Sequence, residues 1–138
     1  VAVEQGQVEG YRPQVYLAPD KIVHMELQRS AYSPAEDNPV IALTPEEIEM
    51  AAALVNNFRY YTTVELGMGA GGEYALSCWT EETWDPQITL YFDADMLYTG
   101  SGYRATDVVH FQPLIDLYQA ETGISSRRQE SMREYEYE

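Results

Sequence analysis

The stretch Gln87-Ile88-Thr89-Leu90-Tyr91-Phe92-Asp93 carries the clearest strand pattern in this chain of 138 residues. Apolar and polar side chains alternate along it, as they do in a strand with one buried and one exposed face. The apolar face consists of Ile88, Leu90 and Phe92. A second alternating segment, from Lys21 to Arg29, predicts another half-buried strand. We therefore expect a fold built around a β-sheet.

Residues 44–47, Thr-Pro-Glu-Glu, carry the strongest helix-start signal in the chain. Thr44 can cap a helix, Pro45 suits its first position, and Glu47 completes a capping box. This helix is predicted to end at Asn56-Asn57. Apolar side chains recur at spacings of three and four along it, and its predicted buried stripe is Ile48, Ala51, Ala52 and Val55.

A second helix is predicted near the end of the chain. Its apolar residues repeat at helical spacing and are Phe111, Leu114, Ile115 and Tyr118. Pro113 places the start near Val109 to Gln112, because a proline is tolerated only in the first turn of a helix. Gly123 is the expected stop.

Shorter segments predict the remaining strands. Val40 to Leu43 and Met96 to Tyr98 are two of them, and the second follows the corner at residues 93–95. Residues 60–66 and 74–78 alternate on either side of a glycine-rich turn, which predicts a hairpin.

Together these elements predict an α+β fold. It has a mostly antiparallel sheet of about five or six strands, two helices packed on that sheet, and the order β-β-α-β-β-β-β-α. The domain is expected to cover residues 20–123. An extended leader is expected over residues 1–19 and a C-terminal tail over residues 124–138.

The charge of the chain excludes several classes of partner. Asp and Glu number 23 and Lys and Arg number 8, which gives a formal net charge of -15. Such a surface repels phosphates, so DNA, RNA and anionic membranes are not expected to bind. No stretch has the length and apolar character of a membrane span, so no direct membrane insertion is expected within the chain.

A loop between two predicted strands combines both tryptophans with acids. Trp79 and Trp84 flank Glu81 and Glu82, and Asp85 follows. Exposed aromatic faces beside carboxylates suit carbohydrate or cationic ligands. The other interpretation is a solvated hairpin loop with one tryptophan folded onto the core. With Tyr91, on the polar face of the strand at residues 87–93, these residues are the candidate ligand-binding set.

No catalytic residue, metal site or cofactor is predicted. Cys78 is the only cysteine and lies in a strand, where a small buried hydrophobe is expected. His24 and His110 lie in different elements without a second ligand at helical or hairpin spacing. Asp93 and Asp95 are interpreted as a turn at the end of a strand. The chain is therefore not expected to be an enzyme.

Several segments together resemble small secreted or lipid-anchored domains of Gram-positive bacteria, often from the gut. These segments are Lys21-Ile22-Val23-His24-Met25-Glu26-Leu27, Leu43-Thr44-Pro45-Glu46-Glu47-Ile48, Ile88-Thr89-Leu90-Tyr91-Phe92, Tyr103 and Leu114-Ile115-Asp116-Leu117-Tyr118. The resemblance covers about residues 19–122. It implies an α+β fold and a place outside the cell or on its surface, and it transfers no catalytic residue.

The N-terminus is consistent with this location. The chain begins at Val1 without a methionine, as it would after removal of a leader, and equally after cleavage of a tag or trimming of the sequence. The cysteine that carries lipid in such proteins would lie upstream, because Cys78 is the only cysteine here.

The leading hypothesis is a non-catalytic extracytoplasmic domain that binds another protein or an envelope component. Its contact surface is expected to be the sheet face with Thr89 and Tyr91, or the loop at residues 79–86. One alternative is a carbohydrate-binding module or a glycan-active enzyme that uses Trp79, Trp84 and the nearby acids. The other is an acidic inhibitor that mimics nucleic acid and occupies basic sites.

Overall fold

Seven strands and two helices make up the described part of the chain, which in the computed structural model comprises residues 15–29, 38–64, 72–99 and 102–126. The strands are β1 (His24–Arg29), β2 (Ile41–Ala42), β3 (Tyr60–Val64), β4 (Tyr74–Trp79), β5 (Ile88–Asp93), β6 (Met96–Tyr98) and β7 (Gly102–Ala105). The helices are α1 (Pro45–Asn56) and α2 (Gln112–Thr122). A short 3₁₀ turn over Pro19–Lys21 precedes β1.

The strands form one antiparallel sheet in the order β2-β1-β4-β5-β6-β7-β3. The predicted α+β class is confirmed. The sheet has seven strands, and the expected five or six was too low. The additional strand is β7. It begins with Gly102 and carries Arg104, so no alternation of apolar residues predicts it.

The predicted hairpin between residues 60–66 and 74–78 is wrong. β3 pairs with β7 at one edge of the sheet, with Thr63 opposite Tyr103, whereas β4 lies between β1 and β5. Alternation and a glycine-rich turn are local features, and they do not specify which strand is the partner. Residues 65–71, which include most of the expected turn, lie outside the described ranges.

One face of the sheet and both helices enclose the core. The register aligns apolar side chains across neighbouring strands, as in the row Leu27, Leu76 and Leu90. The core residues of the helices are Ile48, Ala51, Ala52 and Val55 in α1 and Leu114, Ile115 and Tyr118 in α2. These are the residues that the helical spacing predicted, apart from Phe111, which is buried just before α2.

The start of α1 and both ends of α2 lie where the sequence signals predicted them. Thr44 Oγ1 accepts a hydrogen bond from the Glu47 N–H at 3.2 Å, and the Glu47 carboxylate accepts one from the Thr44 N–H at 2.9 Å. This is the reciprocal capping box. Pro113 lies in the first turn of α2, and Gly123 ends that helix with a left-handed φ of 76°. A residue with a Cβ is strained in this conformation.

The described end of the predicted leader is packed onto the domain. Leu17 is only 1% exposed, and the side-chain amide of Asn56 binds both its N–H and its carbonyl oxygen at 2.8 Å. Ser125 and Ser126, in the predicted tail, are also buried. The packed unit thus includes residues on both sides of the range 20–123. Residues 1–14 and 127–138 lie outside the described ranges.

Candidate functional site

Residues 80–87 form the loop that joins β4 to β5, called here the 80–87 loop, and it carries most of the candidate residues. The Gln87 N–H donates to the Cys78 carbonyl at 3.0 Å and closes the loop at its base. Within the loop Trp84 is 95% exposed. The fold therefore presents an indole to solvent on a connection between two central strands of the sheet.

The side chain of Gln87 organises this loop. Its Oε1 accepts hydrogen bonds from the N–H groups of Thr80 at 2.8 Å and Glu81 at 3.3 Å. Its Nε2 donates to Thr83 Oγ1 at 2.6 Å and, more weakly, to the Asp85 carbonyl at 3.4 Å. One amide thus satisfies several backbone groups of an exposed turn. The alternation along residues 87–93 predicts only a polar strand position for Gln87 and gives no sign of this positioning role.

The Trp cleft lies beside the loop and has a volume of about 340 Å³. Its lining residues are Val23, His24, Trp79, Glu81, Glu82, Thr83 and Trp84. The Trp79 and His24 rings pack with their centroids 5.0 Å apart and their planes tilted by 56°. The Val23 N–H donates to the Trp79 carbonyl at 2.8 Å, so the chain before β1 forms one wall.

A second hollow, the Tyr16 cleft, adjoins the Trp cleft and has a volume of about 650 Å³. Its apolar lining includes Tyr16, Leu17, Ile22, Val23 and Ile88. Val23 and Glu81 line both clefts, so the two share a wall. No sequence pattern predicts this second cleft, because its lining comes from segments that are far apart in the chain.

The acids of the 80–87 loop form no ion pair in the described ranges, although Lys21 lines the Tyr16 cleft together with Glu81. These acids are Glu81, Glu82 and Asp85, and all three are exposed. In contrast, the half-buried Glu73 pairs with Arg29 at 2.7 Å. The loop therefore contributes negative potential at the Trp cleft.

The structure brings together four of the six candidate residues. Trp79, Glu81, Glu82 and Trp84 line the Trp cleft. Asp85 belongs to the same loop but does not line that cleft, and its carbonyl accepts a hydrogen bond from Thr83 Oγ1 at 2.8 Å.

Tyr91 is separated from these four. It projects from the sheet face opposite to the core and lies across from Ala75 in β4. Ala75 is four residues from Trp79, which corresponds to roughly 13 Å along a strand. Neither Thr89 nor Tyr91 lines the Trp cleft. They share a sheet face with Trp79, and Thr89 lies opposite Ser77, two residues from Trp79.

The acids at the corner between β5 and β6 bind protein donors. Asp93 accepts hydrogen bonds from the Glu73 N–H at 2.7 Å and from the Tyr98 hydroxyl at 3.2 Å, and Asp95 pairs with Arg104 at 2.8 Å. Burial raises the pKa of Asp93 above its ordinary value, and burial, with the Asp93 charge, raises the pKa of Tyr98 to about 12. No group of three or more His, Cys, Asp or Glu side chains within the described ranges is arranged to hold a metal ion.

Cys78 and His110 belong to residue types that often act in catalysis, but both contribute to the packing of the domain. Cys78 is fully buried, and desolvation raises the pKa of its thiol to about 12, so the thiolate is scarce at neutral pH. His110 Nε2 donates to the Leu54 carbonyl at 2.6 Å, and its ring packs edge-on against Phe58 and Phe111. This imidazole links the end of α1 to the segment before α2.

Comparison of the chain with protein-family models, with curated proteins and with solved structures finds no match. Among the described residues, neither helix has the length and apolar character needed to cross a bilayer. Inference about function therefore rests on the two clefts and the 80–87 loop.

Proposed function

We propose that this protein is a non-catalytic extracytoplasmic binding domain that holds a partner protein or an envelope component at the 80–87 loop. The observation that carries the proposal is the 95% exposure of Trp84 at the edge of the Trp cleft. A large aromatic side chain gains much free energy when a partner buries it, and tryptophan is enriched among the residues that dominate binding.

The organisation of the loop supports the same proposal. The hydrogen bonds of Gln87 hold the backbone N–H groups of Thr80 and Glu81 and the hydroxyl of Thr83 in place before any ligand arrives. A preorganised surface loses less conformational entropy on binding than one that must be ordered. The extracytoplasmic location is supported by the resemblance to secreted and lipid-anchored domains.

Glycan binding is the second candidate function. Its support is that both indoles line one cleft together with Glu81 and Glu82, since a pyranose ring can stack on an aromatic face while carboxylates accept from its hydroxyl groups. On a glycan array, binding by the unaltered protein that is lost in Trp84→Ala would favour this candidate. Array binding that persists in Trp84→Ala would remove it.

Site-specific crosslinking tests the leading proposal. A photo-crosslinking amino acid is placed at position 84, at position 91 on the open sheet face, or at position 121 on the exposed side of α2. On cells that produce the protein, we expect a discrete crosslinked partner from position 84 and little product from position 121. Similar crosslinking from all three positions would contradict the proposal, whereas product from position 91 alone would move the interface to the sheet face.

A further inference from the structure

The Trp cleft and the Tyr16 cleft offer two different chemistries side by side. The first combines the indoles of Trp79 and Trp84 with two carboxylates, and the second is mainly apolar. Val23 and Glu81 line both, so the two clefts adjoin each other on the surface. An extended ligand can therefore occupy both at once.

We propose that the two clefts together bind an extended peptide segment of a partner protein, in which a Lys or Arg is close to an apolar residue. The cationic side chain enters the Trp cleft, and the apolar side chain enters the Tyr16 cleft. This inference rests on the proposed binding function and specifies the chemistry of the ligand.

Charge complementarity argues for the cation. Glu81 and Glu82 line the Trp cleft and have no ion-pair partner in the described part of the chain. An ammonium or guanidinium group is attracted both by these carboxylates and by the negative face of an indole. A neutral sugar can donate hydroxyl hydrogen bonds to these carboxylates but brings no opposite charge to them.

Exposed apolar surface argues for the second contact. Tyr16 is 72% exposed and Val23 is 54% exposed, and the partly buried side chains of Ile22 and Ile88 lie in the same cleft. The wall is part of the packed domain, because Asn56 fixes the backbone of Leu17 by two hydrogen bonds. A fixed apolar hollow of this kind accepts an aliphatic side chain.

The intrinsic fluorescence of the protein provides a selective readout. Trp79 and Trp84 are the only tryptophans in the sequence, and both line the Trp cleft. The probe is the synthetic peptide acetyl-Leu-Gly-Lys-Gly-Leu-amide, which places an apolar residue on either side of the cation. Its two matched partners replace the Lys by norleucine, which keeps the aliphatic chain, or both Leu by Ser.

Titration of the full chain with each peptide at low salt tests the proposal. We expect the Lys peptide to change the tryptophan emission saturably, with a dissociation constant about fivefold lower than that of either partner peptide. Added salt should weaken its binding and leave the norleucine peptide nearly unaffected. Equal binding of the Lys and norleucine peptides, or no saturable change with the Lys peptide, would overturn the inference.

Matched variants separate the two contacts. Glu82→Gln should weaken the Lys peptide, whereas Glu121→Gln, which removes the same charge from α2, should not. Val23→Ser should weaken binding that depends on Leu, whereas Val108→Ser alters a residue of similar exposure, 58%, outside both clefts. Equal effects within either pair would contradict the assigned contact.

The crosslinking experiment keeps the two proposals distinct. A discrete crosslink from position 84, together with failure of the peptides, would remove the peptide chemistry and retain the binding site. Even crosslinking from all positions would remove the site itself.

Discussion

Gly72 approaches the backbone of Phe92 so closely that no side chain fits. A Cβ atom built at this position lies 2.6 Å from the Phe92 carbonyl oxygen and 2.7 Å from its carbonyl carbon, closer than van der Waals contact allows. The obstacle is backbone of the central strand β5, which cannot move without disturbing its pairing with β4. A glycine at this position lets residue 73 begin its contacts with β5.

We therefore expect Gly72→Ala to lower the free energy of unfolding by about 2 kcal/mol, as overpacking commonly does. Gly123→Ala is the matched control, because an added Cβ there meets open space and only the left-handed φ of 76° is strained. Its expected cost is about 1 kcal/mol. Urea denaturation of both variants measures the difference, and a Gly72→Ala variant at least as stable as Gly123→Ala would contradict the assignment.

The sequence predicts which residues of the site lie together only where those residues are neighbours in the chain. The proximity of Trp79, Glu81, Glu82 and Trp84 follows from one short loop. The walls contributed by Val23 and Tyr16 require the pairing of β1 with β4 and the hydrogen bonds of Asn56. No local pattern encodes these long-range contacts, so the second cleft could not be predicted.

The 80–87 loop depends on a single side chain for much of its hydrogen bonding. We expect Gln87→Ala to leave the sheet folded and to raise the exchange rates of the Thr80 and Glu81 amides about fivefold, since each loses an acceptor in a locally opening segment. Hydrogen exchange followed by NMR resolves these two amides. Gln119→Ala makes the same truncation in α2 and should leave both rates unchanged.

Unchanged exchange at Thr80 and Glu81 in Gln87→Ala would show that the loop is held by other contacts. Faster amide hydrogen exchange across the whole sheet would be equally inconsistent, because the hydrogen bonds of Gln87 are confined to the loop.

Elements with strong local signals were predicted well. α1 begins at its capping box and ends before Asn57, and α2 ends at Gly123. β1 and β5 follow their alternation, with Met25, Leu27, Leu90 and Phe92 buried. The position of β3 was not predictable, because its partner β7 lies about forty residues later and pairing between distant segments is set by the assembled sheet. β7 itself is short and polar.

The whole molecule carries a large excess of negative charge, and one partly buried carboxylate, Asp93, adds to its pH dependence. Burial raises the folded-state pKa of Asp93 above the value in the unfolded chain. Its contribution to stability is therefore full below the unfolded pKa and is lost as the pH rises through the folded pKa. Acidification from neutral pH thus favours the folded state through Asp93 and also reduces the mutual repulsion behind the net charge of -15.

Salt distinguishes these two effects, because it screens repulsion between exposed charges and acts little on a buried group. At neutral pH we expect the melting temperature to rise between low salt and about 0.1 M NaCl, where the screening length is about 10 Å. The increase should shrink near pH 4, where most carboxylates lose their charge. KCl at equal ionic strength should act like NaCl, since screening does not depend on the cation. Calorimetric scans at each salt concentration and pH measure these melting temperatures. A melting temperature that falls with salt at neutral pH would show that attraction between charged groups outweighs their repulsion.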